Sequence, residues 1–434
     1  MYIFTQITAH SLYTVITELR KTYVLLYVIY VWVIKPMHVC LISSLFPPEM
    51  LGGAEKNVRL ISKELVERGH QVSVITTTGS ADPGPLSYNS DQKDGIEVFR
   101  YRPRNVFQPV DIPDQPTWKF IPFKIIDTWN PHSYIILKKI IQKISPDLIH
   151  LHNYEGHSGA VFTAAGSYSA PLVHTLHDYS LLHFQPSMYR NGEVWEPGSY
   201  FKPYHEINKQ LIKQVDKYIS PSDFLIQKHK EYGFFQSGDC EVIQNGVPLN
   251  DKPQIEKQPP TKEGKIRLLY VGRVSSDKGV DTLIEAVQLN SEKAIQLDIL
   301  GKGAEREELE KLATDSNIKF HGFVSEEELI SYYRNAHATV VPSEWYDNSP
   351  TVIYESISMG TPVIAAEIGG IPELLTEETG FLFRSSDARN LSDTINEAYK
   401  SITVKSYEEC IDRRDHFNIK RHVNELLDVY RDLA

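Results

Sequence analysis

Two carboxylates stand eight residues apart in SEWYDNSPTVIYE, Asp347 ahead of an Asn-Ser-Pro turn and Glu355 after a short apolar run. A helix opening near Pro350, with the proline in its first turn, sets Glu355 about one and a half turns in and aims both acids at one cleft. Carboxylates accept vicinal sugar hydroxyls in bidentate fashion. The amides of Thr351 and Val352, unpaired at such a helix start, are donors for a phosphate. The plainer reading is a helix-capping aspartate followed by a solvated glutamate. Other segments have to decide between the two.

Three segments offer matching groups. YVGRVSSDKGV ends a strand with Arg273 and, five residues on, Lys278. A planar guanidinium and a flexible ammonium there suit a diphosphate. FPPEMLGGAEKNV sets Gly52 and Gly53 between a strand and its helix, where backbone can approach an anion. HTLHDYS ends a strand with His177, able to hydrogen-bond a sugar hydroxyl or relay a proton. Singly these are two surface cations, a tight turn and a structural histidine. His150 and His152 are weaker candidates, and scattered histidines make no metal site.

The elements that must position these groups follow from alternating short apolar runs and amphipathic stretches, the pattern of parallel α/β architecture. HVCLISS, QVSVITT, DLIHLH, PLVHTLH and CEVIQNGV read as strands of a first domain, residues 37–247. PLNDKPQIEKQPPTKEGK, residues 248–265, has no apolar period and reads as a linker. IRLLYVGRV, IQLDILGKG, IKFHGFV and ATVVPS then supply strands of a second domain, residues 266–434, whose last helix is expected to return to the first. Two doubly wound sheets bind ligand between their strand C-terminal ends. Segments 103–134 and 178–206 break the alternation. Their prolines and aromatics, with Trp118, Trp129 and Trp195, read as long ordered loops over an acceptor.

Composition narrows the class. At 434 residues, 41% hydrophobic and 23% charged, the chain has the core of a multidomain globular protein. A net charge of −11 speaks against nucleic acid as the main ligand. Cys40, Cys240 and Cys410 lack CxxC spacing, which fits a reducing, cytoplasmic setting. Residues 1–36 stand apart as an extension. Their run TYVLLYVIYVWVI, residues 22–34, is shorter than a spanning helix and lacks a signal-peptide cleavage site. It reads as a membrane-surface anchor, an added element, or sequence upstream of a start at Met37, where a self-sufficient strand opens.

GRVSSDKGVDTLIEA, LGKGAEREELEKLA, FHGFVS, YYRNAHATVVPS and YESISMGTPVIAAEIGGIPELL, in that order, closely resemble the retaining glycosyltransferases of family 4, which have the GT-B fold. The resemblance runs from Met37 to the C-terminus and is more specific in the second half. It implies a nucleotide-diphosphate sugar as donor, a glycan or lipid-linked hydroxyl acceptor and a place in polysaccharide synthesis. With no clustered Asp/His ligand set and two cations for the diphosphate, no cofactor or metal is expected, and the run at 22–34 leaves room for peripheral membrane contact. DNSPTVIYE matches the family's paired-acid motif, which implies that Asp347 meets the donor sugar and Glu355 the ribose. Arg273 and Lys278 then bind the diphosphate, and Gly53 approaches the phosphates or the acceptor. His177 matches a donor-contacting histidine, and Val324 falls where backbone meets the base. Two departures stand out: aspartate replaces the usual first glutamate, and Ser349-Pro350 replaces Phe-Gly. Similar WYEN-x-P stretches occur in a subgroup of the family. These positions contact the donor sugar, so its identity stays open. A same-fold epimerase and a catalytically weak partner of a true transferase are the rival readings.

Overall fold

The computed structural model describes residues 36–433 except Leu51, 80–82, Asn191, 236–239, 250–257, 262–263 and 291–294. The run at 22–34 and the question of the start lie outside the described residues, as does more than half of 248–265. The described chain builds two parallel α/β layers. The first sheet holds β1 (His38–Ile42), β2 (Gln71–Thr77), β3 (Asn89–Lys93), β4 (Ile96–Tyr101), β5 (Leu148–Leu151) and β6 (Leu172–Thr175). A separate hairpin follows, β7 (Tyr189–Arg190) with β8 (Glu193–Val194), and then β9 (Lys217–Ser220) and β10 (Cys240–Val242) complete the sheet. Its order is β10-β9-β6-β5-β1-β2-β4-β3, parallel except for the β3–β4 edge.

The second sheet runs in the order β13-β12-β11-β14-β15-β16. Its strands are β11 (Ile266–Val271), β12 (Ile295–Leu300), β13 (Ile318–Gly322), β14 (Ala338–Val341), β15 (Val363–Ala366) and β16 (Gly380–Phe383). In each sheet the chain reverses its winding beside the first strand, at β1/β5 and at β11/β14. Such switch points open crevices at the strand C-terminal ends. Near-continuous burial along the central strands, as in LVHT and ATVV, marks sheets covered on both faces.

The last helix, Ile419–Leu433, belongs to the first core. Val423, Leu426, Leu427 and Tyr430 pack into one cluster with Val58, Ile61 and Leu65 of the helix Gly53–Glu67. Arg68 fastens the two, donating to Asn424 Oδ1 at 2.5 Å and to the Lys420 carbonyl at 2.8 Å.

The two segments read as loops are more structured than that. Residues 103–134 contain 3-10 turns at Pro109–Asp114 and Thr117–Lys119 and a true helix, Phe120–Thr128. Phe107 stacks on Phe123 at 4.3 Å and meets Phe120 edge-on at 5.4 Å, which seats the helix. Residues 178–206 contain the β7–β8 hairpin and the first turns of the helix Lys202–Leu211.

Close backbone approach ties the loops after β11 and β14 together. Gly279 has φ +64, and a Cβ there would lie 1.9 Å from the Pro342 carbonyl oxygen. Gly369, φ +62, presses on the Asp347 backbone, with 2.4 Å between a built Cβ and the Asp347 oxygen. Gly69 also has a left-handed φ, +86, but nothing within 4 Å. Gly69→Ala should therefore cost only the backbone strain of an L-residue, about 1–2 kcal/mol. Gly279→Ala carries that strain plus a clash with main chain and should cost clearly more, about 3 kcal/mol or above. Urea denaturation of the two variants checks the ranking, and equal losses would remove the contact argument.

Candidate active site

The strand ends deliver the reactive groups to one cleft between the layers. Gly52 and Gly53 follow β1, His177 follows β6, Arg273 follows β11, and Asp347 follows β14. These residues, with Lys278, Thr351 and Val352, line the same cleft.

Asp347 is buried and committed. Its Oδ2 accepts from Lys278 Nζ at 2.6 Å and from Ser343 Oγ at 3.1 Å. The Lys278 ammonium also sits over the Trp345 ring, 4.9 Å from its centroid. Arg273 is 64% exposed and donates to Asp277 Oδ2 at 2.9 Å, so its guanidinium stands at the cleft rim. Helix Thr351–Ser358 starts one residue later than the sequence suggested. Pro350 is its N-cap, extended with ψ 118, and Thr351 and Val352 are its first two residues. Their N–H groups have no intrahelical acceptor and face the cleft beside two cations. The arrangement is suited to an anion.

Glu355 and Val324 are not among the lining residues. Lys56, reaching over from helix Gly53–Glu67, pairs with Glu355 Oε1 at 2.5 Å, while Tyr333 OH donates to Oε2 at 2.9 Å. Both carboxylate oxygens thus have partners within the chain. Val324 follows β13 and packs, like Val352, against the cluster of Leu269, Leu300 and Tyr333.

A row of histidines backs the first half of the cleft. His152 Nδ1 and His177 Nε2 share a 3.0 Å hydrogen bond. The His150 ring lies 4.1 Å from that of His152 and bonds to Tyr430 OH at 2.5 Å and Thr175 Oγ1 at 2.7 Å. His150 is thereby structural, and His177 is the member that opens on the cleft. Burial pushes His177 down to about 4, with neighbouring His422 adding to the effect, and it holds His150 and His152 well below the ordinary range. The row is neutral. Burial also raises the carboxyls of Glu55 and Asp178 on the same wall. Glu55 offsets part of this by accepting the Gly52 N–H at 2.9 Å.

Several cleft residues lay in quoted motifs without drawing notice. Asn348 donates to the His177 carbonyl at 2.9 Å and accepts from Tyr179 OH, joining the two layers. Asn245, from the QNGV segment, bridges Asn57 at 2.9 Å and Ser349 at 3.2 Å. Lys56 sits in the GGAEKNV stretch three residues after Gly53. Amide side chains at strand and loop ends were the available signal, since they pair across a cleft that only tertiary structure creates. Among the described residues no group of three or more His, Cys, Asp or Glu is arranged to hold a metal. None of the described helices is long and apolar enough to cross a membrane.

Two family descriptions together span most of the chain: "Glycosyltransferase Family 4" matches residues 51–251 and "Glycosyl transferases group 1" matches residues 251–415. An uncharacterized 42.6 kDa protein from the cps region of Klebsiella pneumoniae is 28% identical over 340 residues, covering 78% of this chain and 87% of that protein. The solved sucrose-phosphate synthase of Thermosynechococcus elongatus superposes with TM-score 0.68 at 22% identity, over 92% of this chain and 99% of that one. Anabaena HepE in complex with UDP-glucose gives TM-score 0.61 at 18% identity, over 92% and 100% of the two chains. The fold is GT-B.

The neutral histidines make stability depend on pH. His157, His174, His177, His229 and His422 are all pushed down to about 4 by burial. In the unfolded chain they titrate near about 6.5. Between these values the unfolded state binds more protons, so stability rises with pH there. The contribution is complete above the unfolded value and is lost progressively as pH falls toward 4. The urea midpoint should drop steadily from neutral pH down to about pH 5. A flat midpoint over that window would mean these buried histidines are already charged in the fold.

Proposed function

The chain belongs to the glycosyltransferases of family 4, and on that premise we propose that it moves a sugar from a nucleotide-diphosphate sugar to a hydroxyl acceptor with retention of configuration. The acceptor is a glycan or lipid-linked glycan of surface polysaccharide synthesis, and the reaction is cytoplasmic. One observation carries the reading: the Lys278–Asp347 pair, 2.6 Å apart, lies in the cleft with the helix start at Thr351 and the rim guanidinium of Arg273. A departing diphosphate gains charge as the glycosidic bond breaks. Cations and helix amides already fixed at that spot stabilise it without reorganising. Asp347, on the same lip, stands where the sugar carbon gains positive character.

The acceptor hydroxyl attacks the anomeric carbon on the face the phosphate leaves. Its proton passes to a departing phosphate oxygen, so atoms and charge balance with no sugar–enzyme bond. Neutral His177 on the opposite wall hydrogen-bonds the donor sugar. Gly53 lets backbone approach the phosphates, and the Val324 backbone meets the base. Glu355 binds the ribose hydroxyls once Lys56 yields. The lysine side of that exchange is inexpensive, because the Lys56 side chain is 48% exposed, and the Tyr333 hydroxyl keeps Glu355 Oε2 paired meanwhile.

Asp347→Ala should lower kcat by roughly 10²-fold or more, about 3 kcal/mol of barrier, with nucleoside diphosphate affinity little changed. Glu355→Ala should do the reverse, weakening binding of the free nucleoside diphosphate. Asp347→Glu should retain activity or shift donor preference. Parental turnover by Asp347→Ala across UDP-, GDP- and ADP-sugars would make Asp347 a structural anchor of Lys278 and nothing more.

Because Arg273, Lys278 and the helix amides take the charge of the leaving group, turnover should persist in excess chelator. Activity lost in chelator and restored by magnesium or manganese would overturn this assignment.

A further inference from the structure

The helix Phe120–Thr128 buries two ionisable side chains and exposes apolar ones. Its inner face carries Lys124 and Asp127 beside Phe123, all buried. Lys124 Nζ donates to Glu155, and Asp127 Oδ1 accepts the Gly156 N–H at 3.0 Å. The outer face carries Ile121 and Ile125, continued by Trp118 and Trp129 at the two ends. These four are 62%, 63%, 70% and 42% exposed. Their spacing of i, i+3, i+7 and i+11 forms one stripe. Ile126 and, in the next helix, Ile135 are exposed as well. A contiguous apolar stripe in water forfeits the stabilisation that burial gives, so it marks a surface that meets something.

The surrounding charges select what it meets. Between residues 115 and 146 Asp127 is the sole acidic residue, and it is buried, whereas Lys119 and Lys138 flank the stripe and Lys139 and Lys143 lie farther along the next helix, over Tyr88. Lys119 lies 5.7 Å over the Trp118 ring. Lys138 lies 5.8 Å over Tyr134, whose ring meets Trp129 at 5.9 Å. In a chain of net charge −11 this is a local reversal of sign. A second copy seated on the stripe by two-fold symmetry would bring like charges together. An aliphatic stripe with tryptophan at both ends and lysine around it has the composition of a segment lying in the headgroup layer.

We propose that the face formed by Trp118, Ile121, Ile125 and Trp129 docks on an anionic membrane surface. The apolar side chains enter the headgroup boundary and the lysines pair with lipid phosphates. The inner face of the same helix holds Glu155, which lines the cleft wall together with Ile112. Docking therefore sets the first half of the cleft beside the bilayer, where a lipid-linked acceptor enters. The docking itself rests on the stripe, and only its purpose rests on the proposed reaction.

The test mixes the full chain with vesicles of phosphatidylglycerol and phosphatidylcholine in equal parts, and with vesicles of phosphatidylcholine alone, and reads bound protein by flotation. Binding to the anionic vesicles is expected, weakened at about 0.5 M salt, with little binding to the neutral ones. Replacing Ile121→Glu and Ile125→Glu together should cut partitioning roughly tenfold or more. Melting temperature and donor turnover should keep parental values, since both side chains face solvent. Ile121→Trp with Ile125→Trp should bind at least as well as the parent. Absence of anionic binding overturns the proposal, as does unchanged binding in the glutamate pair, which would assign it to another segment such as 22–34. A parental dimer that the glutamate pair dissociates overturns it too, by giving the stripe to a second copy. Turnover is read separately, so failure of the transfer reaction and failure of docking are distinguishable.

Discussion

One loop, residues 343–350, is bonded to both halves of the molecule, and the cleft has its shape because of that. Asp347 is held to its own layer by Lys278, Ser343 and the Gly370 N–H, the last at 2.9 Å. Its neighbour Asn348 is held to the other layer through the His177 carbonyl and Tyr179 OH. Adjacent residues thus face opposite ways, each buried and each satisfied. Burying a polar group without a partner costs about 1–3 kcal/mol, so neither can let go without a penalty. Around this loop other bridges are aligned. Glu373 accepts the Asp223 and Phe224 amides at 2.7 Å each, capping the start of the helix Asp223–Glu231 from across the cleft. Glu344 accepts Tyr189 OH at 2.9 Å. The exposed Lys56–Glu355 pair is the weak member of the set.

The unusual Ser349-Pro350 sequence is accounted for by the same constraint. Ser349 Oγ lies 2.5 Å from Tyr354 OH and accepts from Asn245 at 3.2 Å. A phenylalanine and a glycine there would supply neither bond. Pro350 fixes the backbone at φ −66 just before the helix. It gives up one terminal N–H while leaving Thr351 and Val352 as donors. The departure from the family pattern trades a ligand-facing donor for a firmer seat of the acid-bearing loop.

Most of the two sheets was legible because buried parallel strands are short apolar runs, and strand ends followed by Gly, His or Arg mark where chemistry can sit. What escaped had specific physical causes. Strand β3, Asn89–Lys93, is exposed at every position and has no apolar alternation to read. It exists because Asp94 and Gly95, at φ 53 and 78, form a two-residue turn that folds it back on β4. That Asp-Gly turn was the available signal. Helix Phe120–Thr128 escaped because it buries Lys124 and Asp127 and exposes Ile121 and Ile125, the reverse of the usual amphipathic assignment. The relation of Lys56 to Glu355 spans 299 positions, and no local pattern predicts which cation reaches which acid.

That short helix also shows how the two halves of the cleft differ in kind. The second layer carries its groups in a local motif, where Asp347, the helix start and Glu355 keep their spacing whatever surrounds them. The first layer has no such motif. Its wall is built from Glu55 at a helix start, Asn153 and Glu155 after β5, and His177 and Asp178 after β6, which arrive from three separate strand and helix ends. Glu155 is fixed there by Lys124, a cation that the fold buries and that would be costly left alone. Removing Lys124 would release Glu155 from the wall, and reversing the helix would turn Phe123, Lys124 and Asp127 outward and Ile121 and Ile125 inward. The charged inner face and the apolar outer face are therefore set by a single packing decision, so the shape of the acceptor side and the character of the surface beside it cannot vary independently.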